Sequence, residues 1–166
     1  MYSLLLQLCF AAILAATAIA GIVFVVRRAR AVPVRTAVVA IVGAVWLAAT
    51  LFMTLRPGPG IGVRVNLDPL SFAGRGSEVD AVLNVGVFVP FGVLLAAAGV
   101  RLLGALLLGL GVSLFIEVAQ YLGNVGRTAD INDLITNTLG TVLGCALALA
   151  LARLTRRTGP RHPLGG

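Results

Sequence analysis

Charged residues are scarce in this sequence: they make up 11% of its 166 residues, against 59% that are hydrophobic. A typical soluble domain carries about 25% charged residues, so this chain has too few to cover a surface exposed to water. Intrinsic disorder is excluded as well, because disordered chains are poor in apolar residues. The composition therefore predicts an integral membrane protein.

Cysteine and histidine are almost lacking. The two cysteines, Cys9 and Cys145, lie far apart inside apolar runs, and the single histidine, His162, lies in a polar tail. The sequence contains no CxxC pair and no Cys/His cluster, so it predicts neither a zinc site nor a disulfide framework. We expect no metal and no cofactor.

Lysine is lacking altogether, and the positive charge comes from arginine. Thirteen arginines against six carboxylates give a net charge of +7. In a soluble protein such a balance would suggest nucleic acid, but there the basic side chains gather into a surface patch. Here they flank apolar runs, where arginines set membrane topology. We therefore expect the lipid bilayer as partner and no nucleic acid.

Five apolar stretches are long enough to cross a bilayer, which takes roughly 20 residues in a helix. They predict an all-α fold, a polytopic membrane bundle of about five transmembrane helices. The predicted spans cover residues 4–26, 36–55, 81–100, 102–122 and 134–152. We divide the chain into an N-terminal anchor with a basic cytoplasmic loop, a membrane domain and a basic cytoplasmic tail, at residues 1–35, 36–152 and 153–166.

The arginines are unequally divided between the two sides of this bundle. Nine flank the helix ends on one side: Arg27, Arg28, Arg30, Arg35, Arg101, Arg153, Arg156, Arg157 and Arg161. Four lie on the other side: Arg56, Arg64, Arg75 and Arg127. The positive-inside rule makes the first side cytoplasmic, with the N-terminus outside and the C-terminus in the cytoplasm. The first span lacks the basic start of a signal peptide, so we expect a retained anchor; cleavage after Ala18 is the alternative.

Polar side chains within the spans gather towards the outer side. Glu117 lies five residues before the end of the fourth span, where a carboxylate is expected to face the bundle and either find a partner or stay protonated. Asp130, Asp133 and Asn137 follow a spacing of i, i+3 and i+7, which predicts one helix face. Asp130 could equally cap the fifth helix and Asp133 complement its dipole, but capping does not explain Asn137.

Glycine and proline patterns add expectations about helix packing. Pro90 predicts a bend in the third span, and Gly86 and Gly92 on either side of it would allow close backbone approach. Gly140 and Gly144 form a GxxxG spacing in the fifth span, which favours helix association.

Nine polar residues expected at the outer side form a candidate polar pocket: Arg56, Asn66, Asn84, Glu117, Gln120, Arg127, Asp130, Asp133 and Asn137. Two interpretations remain open. The group could bind a polar ligand, a lipid head group or a metal outside the cytoplasm. It could instead be a network of mutually satisfied side chains that stabilises the bundle.

Three segments of the sequence resemble the VanZ-like family. They read NVGVFVPFG at 84–92, SLFIEVAQ at 113–120 and GRTADINDLITNTLG at 126–140, and TLRP at 54–57 with VNLDPL at 65–70 resembles that family's outer loop. The resemblance covers about residues 40–152. It implies a multi-pass protein of the bacterial cell membrane, in a family whose founding member is associated with resistance to the glycopeptide teicoplanin.

We therefore expect a VanZ-like envelope protein whose outward polar pocket takes a lipid-linked or amphiphilic ligand and links it to teicoplanin-type resistance. The alternative is an intramembrane enzyme acting on a phospholipid or polyprenyl-linked substrate. In it Glu117 would be general base, Asp130 and Asp133 would hold a divalent cation, and Arg127 or Arg56 would bind phosphate. The sequence has no HExxH, GxSxG or phosphate-cradling motif, which favours a protein that is not an enzyme. The oligomeric state is not predicted.

Overall fold

The structure is a computed structural model that describes residues 2–57, 65–69, 77–123, 126 and 128–157. It contains α1 (Tyr2–Ala29), α2 (Thr36–Thr54), β1 (Val65–Asn66), α3 (Ser77–Ala98), α4 (Leu102–Gly123), β2 (Ala129–Asp130) and α5 (Ile131–Arg157). All five helices are long and apolar enough to cross a membrane. The prediction of an all-α polytopic bundle with five spans is confirmed.

The helices extend beyond the predicted apolar spans at several ends. α3 begins at Ser77 and has Glu78 and Asp80 in its first turn, where acidic side chains complement the positive end of the helix dipole. α5 begins at Ile131 and continues to Arg157, with two arginines in its last turn. Apolar runs in the sequence mark only the part of a helix that crosses the hydrocarbon core. The additional turns contain charged residues, which stabilise the helix ends by complementing the helix dipole.

α5 packs against α3 through direct backbone contact. A Cβ atom added at Gly140 or Gly144 would overlap the carbonyl oxygen of Val85 or Val89, respectively. Small residues associate helices in lipid because apolar burial alone does not favour one helix pair over another. The packing predicted from the GxxxG spacing is therefore confirmed.

The other two glycines behave differently from each other. Gly92 is buried, and a Cβ atom there would overlap the carbonyl oxygen of Thr141 on α5. Gly86 is exposed, and a Cβ atom there would meet nothing within 4 Å. The predicted close approach is confirmed at Gly92 and wrong at Gly86, because the two glycines lie on different sides of α3.

An aromatic cluster joins α2 to α3. Trp46 stacks on Phe91, with ring centroids 4.6 Å apart, and meets the edge of Phe88 at 5.3 Å. The indole nitrogen of Trp46 donates a hydrogen bond to the carbonyl oxygen of Val87 (3.0 Å). Ile116 of α4 completes this buried group. The indole N–H thus has the partner that a buried tryptophan needs.

α3 ends in a turn that also involves α1. Gly99 has φ +88°, and the backbone N–H groups of Gly99 and Val100 donate to the carbonyls of Ala96 and Leu95, the pattern of a Schellman motif. The Arg28 guanidinium donates to the carbonyl oxygen of Ala97 (3.0 Å). Arg28 was expected only as a topology marker, and it also attaches the end of α1 to the end of α3.

These contacts place the helix ends in two groups. The first group, called here the polar end, holds the ends of α2 and α4, both strands, and the starts of α3 and α5. It contains all six carboxylates: Asp68, Glu78, Asp80, Glu117, Asp130 and Asp133. The second group, the arginine end, holds the ends of α1, α3 and α5 and the starts of α2 and α4. Eight of the nine arginines assigned above to one side lie here, and Arg161 lies outside the described residues.

Candidate functional site

A short strand pair organises the polar end. β1 and β2 run parallel, with Val65 opposite Ala129 and Asn66 opposite Asp130. The side-chain nitrogen of Asn66 donates to Oδ2 of Asp130 (3.0 Å), and its oxygen accepts the backbone N–H of Asp68 (3.1 Å). The pairing therefore holds the segment that follows α2 against the start of α5.

Asp130 is the centre of this arrangement. Its Oδ1 accepts the backbone N–H of Asn132 (2.8 Å), so it caps α5 as one of the two interpretations predicted. The same oxygen accepts a bond from the side-chain nitrogen of Asn132 (2.8 Å), which also donates to the carbonyl of Asp68 (3.0 Å). The backbone N–H of Asp130 donates to Oε2 of Glu117 (2.8 Å). One residue thus joins α4, β1 and α5.

Glu117 and Gln120 face the interior from α4. Glu117 is 8% exposed and Gln120 4%, so the prediction that Glu117 faces the bundle and finds a partner is confirmed. The side-chain nitrogen of Gln120 donates to the carbonyl oxygen of Thr54 (2.9 Å), in the last turn of α2. A helix leaves its last four carbonyls without intrahelical partners, and Gln120 satisfies one of them.

Asn84 and Asn137 make two further cross-helix bonds. Asn84 of α3 donates to Oδ1 of Asp133 (2.7 Å), and Asn137 of α5 donates to Oγ of Ser113 on α4 (3.0 Å). The stripe predicted from Asp130, Asp133 and Asn137 is therefore divided among different neighbours. Its spacing assumed a continuous helix, whereas Asp130 belongs to β2 and precedes α5.

We call the residues joined by these bonds the polar network: Thr54, Asn66, Asp68, Asn84, Ser113, Glu117, Gln120, Asp130, Asn132, Asp133 and Asn137. Seven of the nine predicted site residues belong to it. Arg56 follows α2 and is half-buried. Arg127 lies outside the described residues, so its predicted place in the pocket has no structural counterpart here.

Sequence reasoning missed Asn132 and Ser113. Asn132 is buried and donates from its side chain to two acceptors, and the hydroxyl of Thr136, one turn on, donates to its carbonyl (2.8 Å). A signal was present, because Asn132 and Thr136 put two polar side chains one turn apart at the start of the fifth helix. Ser113 gave little signal, since a serine in an apolar helix can satisfy itself on its own backbone.

Three buried oxygen atoms are left without a hydrogen-bond partner in the part of the chain that is described. They are Oγ1 of Thr50, Oε1 of Gln120 and Oδ1 of Asn137. Buried polar atoms are nearly always paired, so each exception requires an explanation, such as a bound water or ligand. The described residues contain no group of three or more His, Cys, Asp or Glu side chains that could hold a metal ion. The described residues of the polar end can therefore bind a ligand through hydrogen bonds with amides, hydroxyls and carboxylates.

Comparison with known proteins places this network within a family. The model of the family described as VanZ/LLP1 matches residues 37–153, which include the whole polar network. Protein VanZ of Enterococcus faecium is 38% identical over 85 residues, which cover 50% of this chain and 51% of that protein. The chain thus matches about half the length of this curated relative. No solved structure matches the chain. Since the family match covers well over half of its residues, the chain belongs to the VanZ/LLP1 family of multi-pass bacterial membrane proteins.

Proposed function

We propose that this protein acts at the outer face of the bacterial cell membrane and lowers susceptibility to glycopeptide antibiotics of the teicoplanin type. Its polar end would form a pocket for a lipid-linked or amphiphilic ligand. The observation that carries the proposal is the convergence of Asn66, Glu117 and Asp130 from three elements at one end of the bundle. The similarity to Protein VanZ supports the link to resistance.

The placement of the polar end outside rests on charge. The sequence assigns nine arginines to one side and four to the other, and eight of the nine lie at the arginine end; arginine-rich ends remain in the cytoplasm. A fusion of green fluorescent protein after the C-terminal residue should fluoresce, and a fusion of alkaline phosphatase there should be inactive. The opposite pair of results would place the polar end inside and remove the proposed outward site.

Ligand binding would explain why the polar network contains carboxylates inside the bundle, where they are costly. At Gly140 and Gly144, α3 and α5 associate by close backbone contact, whereas a carboxylate such as Glu117 within a span carries an insertion cost. Asp130 and Asp133 are half-buried and therefore accessible from the surface. We favour binding over the enzymatic alternative because these two carboxylates accept bonds from amides on different elements, Asn66 and Asn84, and no cation is needed to hold them.

The direct test compares two glutamates at the polar end. Glu117→Gln removes the charge of the buried carboxylate but keeps its size and an oxygen that can accept the N–H of Asp130. In a host that depends on this protein for protection, we expect the variant to lose most of that protection against teicoplanin. Glu78→Gln makes the same change at an exposed position and should behave as the unmodified protein.

Susceptibility is read together with the amount of protein in the membrane, measured by immunoblot. If Glu117→Gln reaches normal levels and protects as well as Glu78→Gln, the proposal that the polar end carries the function is wrong.

A further inference from the structure

Two buried hydrogen-bond acceptors lie where α2 and α4 meet, at Thr50 and Gln120, and neither has a donor among the described residues. We call this region the seam between α2 and α4. Thr50 of α2 is fully buried and Gln120 of α4 is 4% exposed, and Oγ1 of Thr50 and Oε1 of Gln120 have no partner among the residues the structure describes. Both residues are more than nine-tenths buried. Within the described residues, these two buried oxygen atoms are therefore exceptions to the rule that buried polar atoms are paired.

The two atoms belong to the same region of the bundle. The side-chain nitrogen of Gln120 bonds the carbonyl of Thr54, so this side chain lies against the last turn of α2. Thr50 lies one turn before Thr54, about 5 to 6 Å along the helix axis. The hydroxyl of Thr54 in turn donates to the carbonyl of Thr50 (2.9 Å). Trp46, one further turn along, closes this seam with its buried aromatic cluster.

The chemistry of these atoms specifies the occupant. The amide oxygen of Gln120 only accepts hydrogen bonds, so a group that pairs with it must be a donor, and the hydroxyl of Thr50 can accept from the same donor. The C-terminus of a helix carries partial negative charge, and the end of α2 lies at this seam. All six carboxylates of the chain lie at the same end of the bundle. Arg56 is the arginine that the described residues contribute here.

A primary ammonium group satisfies these conditions, since it carries a positive charge and three N–H donors. A phosphate or carboxylate offers only acceptors and negative charge; the hydroxyl of Thr50 could donate to it, but Oε1 of Gln120 would stay unsatisfied. We propose that the seam between α2 and α4 binds the primary ammonium of an envelope amphiphile, with Thr50 and Gln120 accepting its hydrogen bonds. This deepens the proposed function, on which it rests for the outward placement of the polar end, by naming the chemical class of the ligand head group.

The test uses two phospholipids that differ only in N-methylation. Phosphatidylethanolamine has a primary ammonium, and phosphatidylcholine has a quaternary one with no N–H donor. The full-length protein is purified from nanodiscs that contain equal amounts of both, and native mass spectrometry gives the ratio of retained lipids. We expect retention of phosphatidylethanolamine to exceed that of phosphatidylcholine by about tenfold, the difference that one well-made hydrogen bond produces.

Gln120→Leu should reduce this ratio to about one. Gln7→Leu makes the same chemical change at an exposed position of α1 and should keep the full ratio. If Gln120→Leu does not fold, Thr50→Val decides the question, because it removes one hydroxyl and nearly preserves the shape; the ratio should then fall at least threefold. The proposal of a lipid ammonium is wrong if the unmodified protein retains both lipids equally. It is also wrong if Gln7→Leu lowers the lipid ratio as much as Gln120→Leu does.

Soluble ethanolamine identifies the source of the ammonium. Added to protein in phosphatidylcholine nanodiscs, it should raise the thermal unfolding midpoint of the unmodified protein and leave that of Gln120→Leu unchanged. If ethanolamine raises the midpoint but the protein retains both lipids equally, the site binds a free ammonium. If ethanolamine has no effect and the lipids are retained equally, the proposed site is rejected. Lipid preference without any effect of Glu117→Gln on teicoplanin susceptibility would refute the proposed function but keep this site. If Glu117→Gln abolishes protection but neither lipid preference nor an ethanolamine effect is found, the ammonium site is refuted and the proposed function stands.

Discussion

α5 meets its two main neighbours through interfaces of opposite chemistry. Towards α3, Gly140 and Gly144 allow backbone to touch backbone. Towards α4 and β1, the start of α5 offers Asn132 and Asn137, together with Asp130 just before it, and each makes hydrogen bonds. In lipid, both devices associate helices, since lipid chains are as apolar as the side chains they would replace.

The difference teaches where this fold can accommodate a ligand. Around Gly140 and Gly144 the interface with α3 is filled by backbone, and the polar pair that these two helices share, Asn84 and Asp133, lies at the polar end. The polar interface leaves an oxygen atom of Asn137 without a partner in the described residues, and the neighbouring seam between α2 and α4 leaves one of Gln120, at a cost in stability. Functional sites commonly carry such costs, because an acceptor that the protein satisfied itself could not bind a ligand.

The largest effect is expected at the glycine interface. Gly144→Ala places a methyl group against the carbonyl of Val89, and because neither backbone can move without shifting a whole helix, we expect a loss of about 3 kcal/mol. Reversible unfolding in mixed detergent micelles measures it. Gly86→Ala, where nothing lies within 4 Å, should change stability by less than about 1 kcal/mol. Equal losses in both variants would show that the α3–α5 contact is less tight than described.

An intermediate effect is expected in the polar network. Asp130→Ala removes the cap of α5 and leaves the side-chain amides of Asn66 and Asn132 without this acceptor, so we expect a loss of about 2 kcal/mol in the same unfolding assay. Asp80→Ala removes an exposed carboxylate from the first turn of α3 and should cost about 0.5 kcal/mol.

Hydrogen exchange distinguishes what Asp130→Ala affects. Faster exchange should be confined to the first turns of α5 and to β1, while the amides of α3 beside Gly140 and Gly144 remain protected. Faster exchange throughout α3 would contradict the separation of the two interfaces.

The sequence was sufficient for the helices and for much of the site. A span of about 20 apolar residues has few alternatives in a bilayer, and a polar residue such as Glu117 inside one must face the protein. The pairing of Asn66 with Asp130 was not predictable, because it joins residues 64 apart through strands of two residues each. Such short strands carry no periodic signal in the sequence.

Threonine shows a second reason for incomplete prediction. Thr50 and Thr54 lie one turn apart in the same apolar helix, and the sequence gives no ground for treating them differently. The hydroxyl of Thr54 bonds the carbonyl of Thr50, four residues earlier, which is the usual way a threonine satisfies itself in a helix. Oγ1 of Thr50 has no such bond within the described ranges, although the side chain is fully buried. The different hydrogen bonding of the two threonine hydroxyls therefore depends on how α2 packs against its neighbours.

Among the variants expected to differ from their controls, Thr50→Val has the smallest effect and the only favourable one. Thr50→Val replaces a buried hydroxyl that bonds nothing in the described chain with a methyl group of similar size. In phosphatidylcholine nanodiscs, where the proposed donor is missing, we expect a gain of about 1 kcal/mol, or roughly 2 to 4 °C in the unfolding midpoint. Thr54→Val is the matched control and should be neutral or slightly destabilising, because its hydroxyl is already bonded. With phosphatidylethanolamine present the gain from Thr50→Val should shrink, since the unmodified protein alone can then pair that oxygen. A loss of stability in phosphatidylcholine would mean that the hydroxyl has a partner in the folded protein, and the seam between α2 and α4 would then satisfy its own polar groups as the glycine contact does.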